Sequence, residues 1–94
     1  MAKYKQIINW VFQTQAEKYG TNEEIPFDRS HLEEAMEDLN LNVANVPDIP
    51  YAYRSRRPLP DEVTQYGYTA VIIDDTRTGE DPTYMFTKRE QLIP

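Results

Sequence analysis

Three arginines within four residues are the strongest chemical signal in this sequence. Arg54, Arg56 and Arg57 closely follow Tyr51 and Tyr53, in a 94-residue chain whose 16 acidic residues lie mostly elsewhere. A guanidinium group can clamp a phosphate or pair through two hydrogen bonds with guanine. A tyrosine ring can add contacts to a base or a sugar. This cluster is therefore the first candidate for nucleic-acid contact.

The same arginines also have a structural interpretation. Their aliphatic stems could cover apolar surface, and their charges could favour the C-terminal end of a helix or neutralise Glu33, Glu34 or Asp61. The net charge of −6 and the pI of about 4.6 oppose nonspecific binding to DNA. The function therefore depends on whether the local or the overall charge dominates, and both interpretations stay open.

The rest of the sequence offers no catalytic or metal-binding constellation. There is no cysteine, and the single histidine, His31, falls in the first turn of a predicted helix, where a surface or capping role is expected. The carboxylate pairs Glu33/Glu37 and Glu34/Asp38 share helix faces, but such pairs are typical of the solvated side. We expect no enzymatic activity in this chain, no metal and no other cofactor.

A charged segment at 74–81 could be interpreted as a cation loop because it holds four carboxylates. Its spacing does not fit a calcium loop, since Arg77 and the adjacent Asp74 and Asp75 break the required alternation. We predict a solvated hairpin turn. Arg77 could still contact a phosphate, although the neighbouring acids would weaken that contact.

Apolar periodicity predicts two amphipathic helices in the first half of the chain. The first runs over 3–19 and is stopped by Gly20. The second runs over 29–39, with Asp28 as its N-cap and a turn at 40–42 after it. Its outer face carries acidic side chains, whereas its inner face is apolar.

A third helix would carry the arginine cluster. We expect Asn45 or Asp48 to open it, Pro50 to shorten or distort its start, and Pro58 and Pro60 to end it after about residue 57. Irregular chain should follow. The predicted inward positions are Ile49, Ala52 and Tyr53, and the predicted outward positions are Asp48, Tyr51, Arg54 and Ser55.

Strand signals complete one α+β domain over residues 1–94. The segment 25–27 is interrupted by Pro26 and can be at most an edge strand or an extended arm against the core. The segments 68–73 and 83–87 are rich in β-branched and aromatic residues, which predicts a hairpin with a long charged tip. Residues 88–94 are interpreted as a tail or linker.

This order of elements, together with several sequence segments, resembles the winged-helix domains found at the amino terminus of bacterial restriction-endonuclease-like proteins. The most specific part is the third-helix segment. The matching segments are YKQIINWVF (4–12), IPFDRSHLEEAMEDLNL (25–41), NVPDIPYAYRSRRPLPDEV (45–63) and the Tyr84-x-Phe86 pair. Within them the pattern Pro47-Asp48-x-x-Tyr51-x-Tyr53-Arg54-x-Arg56, followed by Leu59-Pro60, carries most of the resemblance.

The resemblance implies a winged helix-turn-helix with three helices and a C-terminal β-hairpin wing. It also implies that the domain recognises or positions double-stranded DNA for a nuclease domain, in the same chain or in a partner chain. The chain could then be a fragment of a larger nuclease or a stand-alone homologue. The DNA-binding residues expected on this basis are Tyr51, Arg54, Ser55, Arg56, Arg57 and Arg77.

The alternative is an acidic protein-interaction or dimerisation module without direct DNA binding. It would pack against a nuclease domain, another copy of itself or a regulatory subunit. Trp10 falls off the apolar stripe of the first helix and could mark such a surface. The lack of cysteine, of a signal-peptide pattern and of any run of transmembrane length predicts a cytoplasmic protein without a membrane partner.

Overall fold

The computed structural model describes residues 2–22, 24–56, 58–74 and 83–88. These residues form four α-helices, one π-helical turn and one antiparallel sheet of three strands, which confirms the α+β class. In chain order the elements are α1 (Ala2–Tyr19), β1 (Glu24–Phe27), α2 (Arg29–Leu39), α3 (Asp48–Tyr51), the π-helical turn (Ala52–Arg56), α4 (Asp61–Thr64), β2 (Ala70–Asp74) and β3 (Thr83–Thr87).

Helix α1 forms one wall of the hydrophobic core. Its inner face includes Phe12, whose ring lies edge-on to Tyr68 and Phe86 with centroid distances of 5.2 and 5.3 Å. Such edge-to-face pairs add to the stabilisation from burial alone. Gly20 ends the helix with φ at 77°, and its N–H donates to the Ala16 carbonyl at 2.7 Å. The predicted C-terminal end of α1 is therefore confirmed.

Both ends of α2 are fixed by the residues that the sequence indicated. The Asp28 side chain accepts a hydrogen bond from the Ser30 N–H at 2.9 Å, and His31 Nδ1 accepts one from the Asp28 N–H at 3.0 Å. Asn40 adopts the left-handed conformation at φ 54° and caps the C-terminal end. These local contacts confirm the predicted bounds of α2 and the capping role of His31.

The sheet has the strand order β1-β3-β2, with both pairs antiparallel. Tyr84 in the central strand pairs with Phe27 on one side and Ile73 on the other. The predicted edge strand and the predicted strand at 83–87 are thus confirmed, and the strand predicted at 68–73 is observed at Ala70–Asp74. The hairpin tip at 75–82 and the tail at 89–94 lie outside the described residues, so the interpretation of both stays a prediction.

The third helix was predicted to be distorted at its start, near Pro50, but its irregular part is the second half. It is α-helical only over Asp48–Tyr51, and the chain then widens into the π-helical turn. Its N-cap is Pro47, so the prediction of Asn45 or Asp48 was wrong. Asp48 cannot cap because it is already the first helical residue, and its carboxylate accepts a hydrogen bond from the Tyr4 hydroxyl at 2.8 Å. Asn45 instead uses its carbonyl, which accepts from the Asp48 N–H at 3.1 Å.

Helix α4 was not predicted, because the chain after Pro58 was expected to be irregular. The carbonyl of Pro60 accepts from the N–H groups of Val63 and Thr64 at 2.9 and 3.0 Å. Asp61 and Glu62 occupy the first turn, where the helix dipole favours negative charge, and Val63 is fully buried. A fourth helix therefore joins the three that the sequence predicted.

Candidate nucleic-acid interface

The inner face of the third helix, defined here as residues 48–56, is anchored in the core. Ile49, Ala52 and Tyr53 are buried, as the sequence predicted. Pro50 is also buried, in the first turn of α3. A proline is tolerated there because first-turn N–H groups have no helical acceptor. The surface opposite these residues is consequently held in one orientation.

Two further contacts fix the helix relative to its neighbours. The hydrogen bond from Tyr4 to Asp48 joins it to α1. Beyond its C-terminal end, the buried Leu59 and Pro60 hold the chain against the body of the protein. Asp48 is half-buried, and its carboxylate accepts this hydrogen bond from Tyr4. The expectation that Asp48 is one of the exposed positions is therefore wrong.

The outer face of the third helix presents a phenol and a guanidinium group. Tyr51 is 39% exposed, and Arg54, three residues later, is also exposed. Within the described part of the chain, Arg54 forms no ion pair, and in particular none with Glu33, whose carboxylate lies 3.5 Å from Arg29 Nε. The predicted exposure of Tyr51 and Arg54 is therefore confirmed, and their role in binding stays a prediction.

The other predicted contact residues are placed only in part. Ser55 and Arg56 belong to the π-helical turn by their backbone. Arg57 and Arg77 lie outside the described residues. The structure therefore brings Tyr51 and Arg54 to one surface, with Ser55 and Arg56 following directly in the chain.

The π-helical turn is the unusual feature at this surface. A π-helix is wider than an α-helix and occurs mostly as single turns inside helices, frequently at functional sites. Here it spans Ala52–Arg56 and contains Arg54. The arginine thus extends from a turn whose side-chain directions differ from those of a regular helix.

The chemistry available at this surface is the binding of an anionic or aromatic group. Among the described residues the Arg54 guanidinium has no ion-pair partner to release before it binds a phosphate, and its planar fork suits two oxygen acceptors. The neighbouring phenol can stack or donate a hydrogen bond. Both groups rest on a buried scaffold, so little backbone rearrangement is needed for contact.

A second surface lies on the outer side of α1, around the residue that the sequence singled out. Trp10 is half-buried, and its indole N–H donates to Asp38 Oδ2 at 2.7 Å. It lies in an open groove of about 420 Å³ that Gln6, Asn9, Gln13, Thr14, Glu17 and Leu39 also line. Sequence reasoning missed the other groove residues. The available signal was the uncharged run 6–16 on an otherwise charged chain.

The residues that the structure covers contain neither a cluster of metal-ligating side chains nor a membrane-spanning helix. Among them, no three histidine or carboxylate side chains are grouped closely enough to hold a metal ion. The helices found in the described ranges are too short or too polar to span a membrane.

Comparison with protein-family models, with curated protein sequences and with solved structures finds no match for this chain. The resemblance to winged-helix domains therefore rests on the residues quoted above.

Proposed function

We propose that this chain is a winged helix-turn-helix domain that binds double-stranded DNA through its third helix. The order of α1, β1, α2, third helix and β2–β3 hairpin, together with the strand order β1-β3-β2, is compatible with a winged-helix arrangement. In helix-turn-helix proteins a later helix enters the major groove. The domain would recognise or position DNA for a nuclease domain, in the same chain or in a partner.

The exposed pair of Tyr51 and Arg54 carries this proposal. Both side chains leave the outer face of a helix whose inner face is buried, and Arg54 is unpaired among the described residues. Arg54 would bind a phosphate or the major-groove edge of guanine, and Tyr51 would contact a sugar or base. The contact would extend along the DNA backbone through Ser55, Arg56 and Arg57. Arg77, in the predicted hairpin tip, would bind a further phosphate.

The overall charge makes this a weak and orientation-dependent interaction. The chain carries −6, and the exposed face of α2 includes Glu33, Glu34 and Glu37. DNA would be repelled from that face and accepted only where the arginine cluster outweighs the neighbouring carboxylates. Because each neutralised phosphate releases counterions, log affinity should fall with log salt by about 0.9 per contact.

The test is a titration of the 94-residue chain against a short labelled duplex at about 20 mM and about 150 mM salt. We expect saturable binding that weakens with salt, weaker binding by Arg54→Ala and Tyr51→Ala, and none by the Arg54→Ala/Arg56→Ala/Arg57→Ala variant. Arg29→Ala is the matched control. It removes the same charge from α2, where Arg29 already pairs with Glu33.

Two results would contradict the proposal. Equal affinity of the wild-type chain and the triple variant would remove the third helix from the interface. An absence of binding at low salt would favour the alternative, a winged helix that contacts protein only. Circular dichroism of each variant checks that the fold is intact.

A further inference from the structure

The outer face of α1 carries an uncharged stripe, formed by Gln6, Asn9, Trp10, Gln13 and Thr14, which we call the amide stripe. All five side chains are exposed or half-buried, and they lie opposite the buried face of the helix. No residue from 6 to 16 is charged, although 28% of the chain is. The exposed face of α2 shows the ordinary pattern, with carboxylates. The amide stripe therefore lacks the charge that a solvated helix face usually has.

Two features of the stripe, its lack of charge and its tryptophan, are typical of protein interfaces. The centres of protein–protein interfaces are depleted in charge and enriched in aromatic residues, and tryptophan is among the residues that contribute most to binding. Trp10 lies at the centre of the stripe, within the open groove of about 420 Å³ that also contains Leu39. The groove gives an incoming side chain an apolar floor and amide groups to pair with.

The charges at the ends of the stripe indicate what covers it. Lys3 precedes Trp10 by seven residues and Glu17 follows it by seven, so all three lie on nearly the same side of the helix, about 10 Å apart along its axis. An antiparallel second copy of α1 would place each Lys3 opposite Glu17 of the other copy. The same two-fold axis brings the two Trp10 side chains together and sets Gln6 opposite Thr14.

We propose that the chain forms a symmetric homodimer in which α1 pairs antiparallel with α1 of a second copy, centred on Trp10. Two copies that each carry −6 repel one another over most of their surfaces, whereas this face offers an uncharged stripe on α1, bordered by Asp38 at the Trp10 indole, and ends of opposite charge. Lys3 Nζ contributes only a long, exposed hydrogen bond of 3.3 Å to the Asn42 carbonyl, which it can exchange for a carboxylate. The dimer goes beyond the proposed function, since Tyr51 and Arg54 are not part of this surface.

The experiment is sedimentation equilibrium of the full chain over about 5 to 500 µM, with four variants. We expect a reversible dimer that is weakened at least about fivefold by Lys3→Glu and by Glu17→Lys, because each creates two like-charge contacts. The double variant Lys3→Glu/Glu17→Lys should restore the dimer. Lys5→Glu is the matched control, since it makes the same charge change on α1 outside the stripe.

The direction in which Glu17→Lys changes the dimer affinity distinguishes this pairing from general charge repulsion. That variant changes the net charge from −6 to −4, so the reduced general repulsion alone would strengthen association, whereas the proposed register predicts that association weakens. Neither single change should unfold the helix, because an acid near the N-terminus and a base near the C-terminus both favour the helix dipole. Circular dichroism checks this point.

A second readout uses Trp10, the only tryptophan in the chain. Its emission should change with protein concentration in step with dimer formation. A monomer at all concentrations would overturn the proposal. So would a dimer that the single charge reversals leave unchanged, or one that the double variant fails to restore.

Discussion

Asp28 shows how one side chain can fix the start of a helix. Burial alone would raise the pKa of its carboxyl group, but the hydrogen bonds from Ser30 and the neighbouring His31 outweigh that effect and hold the pKa below its ordinary value. The charged form is therefore favoured in the folded protein. This agrees with the position of Asp28 at the N-terminal end of α2, where a negative charge and a hydrogen-bond acceptor both stabilise the helix.

We predict that Asp28→Ala lowers the free energy of unfolding by about 1 kcal/mol, the usual cost of losing an N-cap. Because the folded pKa is depressed, the stabilisation is complete above the unfolded pKa and is lost as pH falls through the folded pKa. Urea denaturation at pH 7 and at successively lower pH measures both effects. Asp28→Asn is the control: it keeps a capping acceptor and should lose only the pH-dependent part.

At the scale of elements, the edge strand β1 depends on α1 for one of its hydrogen bonds. Gln15 is only 3% exposed, and its Nε2 donates to the Pro26 carbonyl at 2.7 Å. Pro26 itself has no N–H to offer to another strand. The contact satisfies a backbone acceptor at the sheet edge and joins the helix to the strand.

Gln15→Ala should therefore cost about 1 to 3 kcal/mol of stability, because it leaves the Pro26 carbonyl without its partner and opens space beside it. Thermal unfolding at low protein concentration provides the measurement. Gln13→Ala removes the same amide from an exposed position of the same helix. Equal losses of stability in the two variants would show that the hydrogen bond from Gln15 to β1 does not stabilise the fold.

Elements with strong local signals could be predicted from the sequence, and those determined by tertiary packing could not. Helix α2 has a capping aspartate and a left-handed asparagine at its ends, so both of its bounds were predicted. Helix α4 is only four residues long and depends on the burial of Val63. The prolines before it indicated irregular chain, so the helix was not predicted. The π-helical turn has no distinct periodicity, and apolar spacing still identified its inward Ala52 and Tyr53.

The exposed residues of the candidate interface could be predicted from the sequence, but the groove on α1 could not. Helical spacing separated the buried Ile49 from the exposed Tyr51 and Arg54, because a helix with one apolar face must turn the other to solvent. The groove around Trp10 was not predicted beyond that residue. It forms only when Leu39, at the end of α2, packs near α1, and such proximity cannot be derived from spacing along one helix.

For the whole molecule, the charge balance predicts that added salt stabilises the fold. A protein held together by ion pairs would instead be destabilised by salt. The chain carries −6, and Arg29–Glu33 is the only Lys/Arg–carboxylate pair within 4 Å among the described residues. Screening should relieve more repulsion than attraction. We expect the melting temperature at pH 7 to rise modestly between about 20 mM and about 300 mM sodium chloride. A fall would indicate stronger attraction between charges than the described residues provide.

The strand order has a consequence for synthesis on the ribosome. The central strand β3 is the last of the three to be made, and β1 and β2 both pair with it and not with each other. A nascent chain that ends before Thr83 can form its helices but has no template on which to build the sheet. Because β1 must wait for a partner about 60 residues later in the chain, loop closure should slow folding, and the sheet should form only after β3 has emerged.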